Sequence, residues 1–171
     1  MTKVVHLNTF DIKGGAARAA YRLHWGLRAL EVNSHMLVQR KRSSDVTVTG
    51  PTSTLGKGRG YLKELIDLLP LKLYRKRESV PLGLGWLSSS TPKRIQNINP
   101  DIIQLHWVMG GFFSIKELAK FNRPIVWTLH DMWAFTGVCH YAGDCDGYMA
   151  ACGACPRLGS ARENDLSRRF W

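Results

Sequence analysis

Between Thr128 and Pro156 the chain reads TLHDMWAFTGVCHYAGDCDGYMAACGACP, which gathers two histidines, three acids and four cysteines into twenty-nine residues. Two chemistries fit these residue types. In the pair His130 and Asp131 a carboxylate can orient an imidazole, or the histidine can contact a sugar hydroxyl or phosphate directly. Adjacent residues of an extended strand point to opposite faces, so a mutual hydrogen bond requires the chain to turn between them. A histidine at a strand end also serves structure alone. The cysteines Cys139, Cys145, Cys152 and Cys155 follow C-x5-C-x6-C-x2-C. The closing CGAC is a knuckle-like turn whose two thiolates can grip one ion while the earlier pair completes a tetrahedral zinc shell. Four thiolates close that shell, so the metal would be structural rather than catalytic. Two disulfides are the alternative, and His140 could replace one cysteine.

The remaining candidates lie where strands end. Asn8 follows KVVHL, His106 and Trp107 follow DIIQL, and His130 with Asp131 follows PIVWTL. If these strands are parallel, all of these residues meet at one sheet edge, where ligands of open α/β sheets bind. Gly14 and Gly15 precede a helix, so a phosphate or carboxylate could approach the backbone and the helix dipole there, and Arg18 could add a guanidinium. A tight turn and a solvated helix face explain the same residues without a ligand. His6 reads as core packing, and neither His24 nor His35 carries a functional assignment.

The elements that must position these groups follow a β–α–β rhythm. KVVHLNTF reads as a strand, and the run beyond it as a helix with Ala16, Ala20, Leu23, Leu27 and Leu30 forming its apolar stripe. SHMLVQ is a second strand, which completes a right-handed βαβ unit. The helix PKRIQNI, the strand DIIQLHW, the helix SIKELAKF and the strand PIVWTLHD repeat the pattern. IIQL and IVWTL are apolar throughout, as expected of strands covered by helices on both faces. The expected fold class is α/β, a Rossmann-like parallel sheet with helices on both faces. Residues 50–91 read as an insertion with one or two short helices, and residues 136–158 as a Cys-rich loop. Within the insertion, Leu62, Leu65, Ile66 and Leu69 form an apolar stripe beside basic Lys72, Arg75, Lys76 and Arg77. A surface helix packed on its own domain is the favoured reading, and an in-plane helix at an anionic membrane the alternative.

The chain has 171 residues, 44% of them apolar, enough for one domain of ordinary size with a sizeable core. Its 24 Lys plus Arg against 13 Asp plus Glu give a net charge of +11, which attracts polyanions without choosing among them. No secretory leader or membrane-spanning run is evident, so the expected location is cytoplasmic, where clustered cysteines favour metal over disulfides. A nicotinamide site would need GxGxxG after the first strand and an acid after the second. Gln39, Arg40, Lys41 and Arg42 end the second strand instead, which counts against NAD. A zinc-stabilised basic module for nucleic acid is an alternative, but no basic reader helix or basic–aromatic platform accompanies the charge.

FDIKGGAARAAYRLHWGL, PDIIQLHWVMGGFFSI and RPIVWTLHDMWAFTGVCHYAGDCDGYMAACGACPRL together resemble the N-terminal half of bacterial group 1 glycosyltransferases, glycosyltransferase family 4, particularly those of exopolysaccharide and lipopolysaccharide assembly. The likeness spares residues 50–91. It implies a GT-B architecture and a retaining transfer from a nucleotide-sugar donor without a catalytic metal. By that resemblance Gly14 and Gly15 face the donor phosphates, and His130 is the catalytic residue beside the transferred sugar. His106 and Trp107 line the acceptor side, with Asp131 shaping the turn; Arg18 joins the phosphate site and Asn8 the acceptor side by their positions in the sequence. The implied acceptor is a saccharide or lipid pyrophosphate at the inner face of a membrane, and no nucleic-acid partner is expected. Residues 1–171 then form one N-terminal domain, and the donor-binding C-terminal domain, needed for turnover, comes in cis or in trans.

Overall fold

The computed structural model describes residues 1–171. Their contacts gather into two compact units, residues 1–64 with 85–130 and residues 65–84 with 131–171.

The first unit is built on a five-stranded, wholly parallel sheet. Strands β1 (Lys3–Phe10), β2 (Asn33–Arg40), β3 (Val48–Thr49), β4 (Ile102–Leu105) and β5 (Ile125–Trp127) lie in the order β3-β2-β1-β4-β5. Helix α1 (Gly15–Ala29) carries the chain from β1 to β2, and α3 (Thr91–Ile98) leads into β4. This is the α/β, Rossmann-like arrangement expected from the sequence. Its topological switch point lies between β1 and β4, the place where such sheets bind ligands beyond their carboxyl ends.

Strand alternation sorts the side chains onto two faces. Val5, Leu7, Leu37, Ile103 and Leu105 pack with Ile95 and Ile98 of α3 and with Phe113, Leu118 and Phe121. On the opposite face Met36, Val38 and Val48 meet Ala20 and Tyr21 of α1. The buried stripe of α1 is Ala17, Ala20 and His24, rotated from the expected leucine stripe, and Leu23 and Leu30 face solvent. Two alanines let the helix axis approach the strands closely, and His24 is accommodated because both its ring nitrogens are bonded, to Ser34 and Thr47.

Three further expectations are corrected. SIKELAKF forms a 3-10 helix, Ile115–Lys120, opened by a Ser114–Glu117 capping box. Buried Glu117 also accepts the backbone N–H of Ser89, which fixes this short element by its ends rather than by length. Strand β5 is not covered on both faces: as the outermost strand it has one neighbour, and Ile125 and Val126 are exposed. Within the predicted insertion, α2 (Thr54–Asp67) forms, but Leu62, Leu65 and Leu69 stay about half exposed instead of packing inward. The middle of α2 is tied to the sheet by Gln39, whose side-chain amide donates to the carbonyls of Gly60 and Gly110.

The second unit has little regular structure. It holds a 3-10 helix at Leu69–Leu73, two short 3-10 turns, a bridge between Leu82 and Cys139, and the five-residue helix α4 (Leu166–Phe170). Asp165 caps α4 by accepting the N–H groups of Ser167 and Arg168. Its small core is Leu71, Leu84, Val138, Cys139, Cys155 and Leu158.

Candidate functional site

In the first unit the carboxyl ends of β1, β4 and β5 form one bonded edge. Asn8 Oδ1 accepts the backbone N–H of Trp107 at 2.8 Å, and the N–H of Thr9 donates to the Trp107 carbonyl at 2.7 Å. The indole N–H of Trp127 donates to the His106 carbonyl at 3.1 Å. His106 Nδ1 stands 3.2 Å from His130 Nε2, with the two rings stacked at 5.5 Å between centroids. Asn8, His106, Trp107 and His130 are thus brought together, as the parallel reading requires.

His6, assigned to packing from the sequence, belongs to the same constellation. Its Nδ1 lies 3.1 Å from His106 Nε2, and it is fully buried. The signal was periodicity: His6 and Asn8 are two apart on one strand and therefore share a face. Burial first, then His106 and His24, lower His6 to about 3; burial and His130 lower His106 to about 4. Both rings are neutral at physiological pH.

Asp11 was also missed. It is buried, and its carboxylate accepts N–H groups from Arg42 and Ser43, tying the loop after β2 to the loop after β1. Burial alone would raise its pKa, but the backbone N–H groups outweigh it and hold the carboxyl below its usual range.

Gly14 caps α1 with φ +92°, a conformation that a side chain strains. Gly15 has no such constraint, and a Cβ there would meet no atom of the chain within 4 Å. The protein's own packing therefore does not demand glycine at position 15. Arg18 is exposed one turn on. A basic cavity of about 450 Å³ opens at the end of β2, lined by Arg40, Lys41, Arg42, Lys57 and Tyr61. Arg40 pairs with Glu64 and lies over the rings of Phe10 and Tyr61, which fixes one wall of it.

In the second unit Asp131 Oδ1 accepts the N–H of Trp133, the turn-shaping bond expected of it, and Oδ2 bonds His140 Nδ1. The bond engages Nδ1 of His140. All four cysteines are free thiols and line one small cavity. The expected tetrahedral shell is not preformed, since no group of three or more His, Cys, Asp or Glu is arranged to hold a metal ion. The Cys139 thiol instead donates to Cys155, which raises Cys139 and lowers Cys155 to about 6, helped by the N–H groups of Leu158 and Arg157. Gly137 donates its N–H to Cys152 Sγ at 3.4 Å.

Comparison with known proteins identifies the family. Residues 13–170 match the profile of the family described as Glycosyltransferase Family 4. Over 68 residues the chain is 31% identical to WcaC of Escherichia coli (strain K12), which carries the name colanic acid biosynthesis glycosyl transferase. That alignment covers 34% of the chain and 17% of the relative. No solved structure matches the chain.

Proposed function

The chain belongs to glycosyltransferase family 4, and from that premise we propose that its sheet is the acceptor side of a retaining transferase serving exopolysaccharide or lipopolysaccharide assembly. The supporting observation is the bonded edge at the β1–β4 switch point, where His106 meets His130 and Asn8 meets Trp107. His130 is the catalytic residue, contacting the transferred sugar. Asn8, His106, Trp107 and Asp131 shape the acceptor side. Gly14, Gly15 and the adjacent helix N-terminus, with Arg18, stabilise the negative charge that grows on the departing nucleotide diphosphate.

The acceptor is a saccharide or a lipid pyrophosphate, and its phosphates dock in the basic cavity formed by Arg40, Lys41, Arg42 and Lys57. Peripheral contact with an anionic inner membrane face comes from Leu65, Leu69 and Leu73, exposed at 50, 53 and 82%, beside exposed Lys72, Arg75, Lys76 and Arg77. No helix is long and apolar enough to cross a membrane.

The donor's nucleotide is held by a C-terminal donor-binding domain, in cis or in trans, so residues 1–171 alone do not turn over. The test is sugar transfer to a lipid-pyrophosphate acceptor with and without that domain. Transfer only in its presence is the expected result, and sustained transfer by residues 1–171 alone contradicts the assignment.

The four cysteines have a separate role in this reading, that of holding a structural zinc ion in the second unit, with no catalytic metal. In its support, Cys139, Cys145, Cys152 and Cys155 share one cavity, none is in a disulfide, and the Cys139 thiol with backbone N–H groups favours the thiolate of Cys155. Zinc would replace the Cys139–Cys155 thiol contact and give a unit with a small core the staple it otherwise lacks.

A further inference from the structure

Three imidazoles stand in file on the α1 face of the sheet. His6 Nδ1 is 3.1 Å from His106 Nε2, and His106 Nδ1 is 3.2 Å from His130 Nε2. A neutral imidazole carries one N–H and one lone pair, so each link must be one donor facing one acceptor. The file then has only two arrangements. Either every ring proton points outward, toward His130, or every one points inward, toward His6.

The inner end decides between them. His6 Nε2 is buried with no hydrogen-bond partner. In the inward arrangement that atom would be an orphaned N–H donor, and in the outward arrangement a bare acceptor. Orphaned buried N–H groups are the rarer of the two. His24, whose ring centroid lies 5.8 Å away, offers no lone pair to relieve such a donor. The hydroxyl proton of Thr47 goes to Asp45 Oδ1 at 2.6 Å, so at 2.8 Å Thr47 accepts from His24 Nε2–H. His24 Nδ1 is then the acceptor, and it takes the Ser34 hydroxyl at 2.8 Å.

We propose that His6 and His106 are positioning residues that fix the tautomer of His130. His6 Nδ1–H donates to His106 Nε2, His106 Nδ1–H donates to His130 Nε2, and the proton of neutral His130 is confined to Nδ1. With its Nε2 lone pair engaged by His106, His130 cannot use that atom as a base. The importance of this for transfer rests on the reading that His130 meets the transferred sugar; the tautomer itself does not.

Two-bond proton–nitrogen correlation spectra of the chain labelled with nitrogen-15 histidine read each tautomer without any transfer assay. The expected spectrum shows His6, His106 and His130 as Nδ1–H and His24 as Nε2–H. In His106→Phe, which keeps a flat ring without nitrogens, His130 shifts to predominantly Nε2–H while His24 is unchanged. His130 found as Nε2–H in the unmodified chain overturns the proposal, as does Nδ1–H persisting in folded His106→Phe. The unmodified spectrum decides by itself if the variant does not fold. An Nδ1–H His130 combined with full transfer activity in His130→Ala would leave the file standing and remove its role in transfer.

Discussion

Asn8 Oδ1 accepts the backbone N–H of Trp107 at 2.8 Å, so the exits of β1 and β4, ninety-nine residues apart in sequence, are joined by one side chain. Asn8 is buried, and removing its amide leaves the Trp107 N–H unpaired. Asn8→Ala should lower stability by about 1–3 kcal/mol in urea unfolding. Asn8→Asp keeps an acceptor but loses the Nδ2–H that donates to the Phe10 carbonyl and buries a charge, so it should lose at least as much. No loss in Asn8→Ala would mean that packing, not the bond, fixes the edge.

Acid stability follows from the buried imidazoles. His6, His24 and His106 have folded pKa values lowered to about 3, 4 and 4, in each case chiefly by burial. The unfolded chain takes up protons near pH 6.5, above the folded values. The neutral rings thus contribute their full stability above about pH 6.5, lose it as pH falls, and have lost it by about pH 3–4. Each histidine should remove up to about 1.4 kcal/mol per pH unit within that window. Urea midpoints measured from pH 7.5 to 4 check this. A flat profile contradicts burial of the file.

The thiols make a separate prediction. Protein prepared without added zinc should contain near-stoichiometric zinc by elemental analysis, and chelation or Cys155→Ser should lower the melting temperature of the second unit by roughly 10 °C. Four freely reactive thiols with no bound metal would remove the zinc assignment. Zero thiols after denaturation would replace it with disulfides.

Membrane contact can be read by sedimentation with vesicles of phosphatidylglycerol and phosphatidylcholine. Binding should rise with the anionic fraction, fall with salt, and weaken at least tenfold when Leu69 and Leu73 are both changed to Glu. Vesicle binding that ignores charge and survives those changes contradicts the assignment of this surface.

Much of the first unit was legible in the sequence because period and termini are local properties. The β–α–β rhythm, the glycine turn and the polar residues at strand ends followed from spacing, and parallel pairing then gathered Asn8, His106 and His130 at one edge. What escaped was set by tertiary context. The stripe of α1 turned to Ala17, Ala20 and His24 because close approach and two hydroxyl partners outweighed leucine hydrophobicity. His6 looked like packing because its partner lies a hundred residues away. Asp11, one residue past its strand, gave no sign that its partners would be N–H groups after β2. The leucines of α2 carry a helical pattern whether they face a core or the outside, so periodicity could not separate those cases.

The central claim is that the edge bearing His130 is where sugar transfer takes place. It is tested most directly by nucleotide-sugar transfer in the complete transferase with His130→Ala, alongside the melting temperature of the same protein. The account predicts a rate reduced roughly 100-fold or more with melting unchanged. A rate equal to that of the unsubstituted enzyme would contradict it.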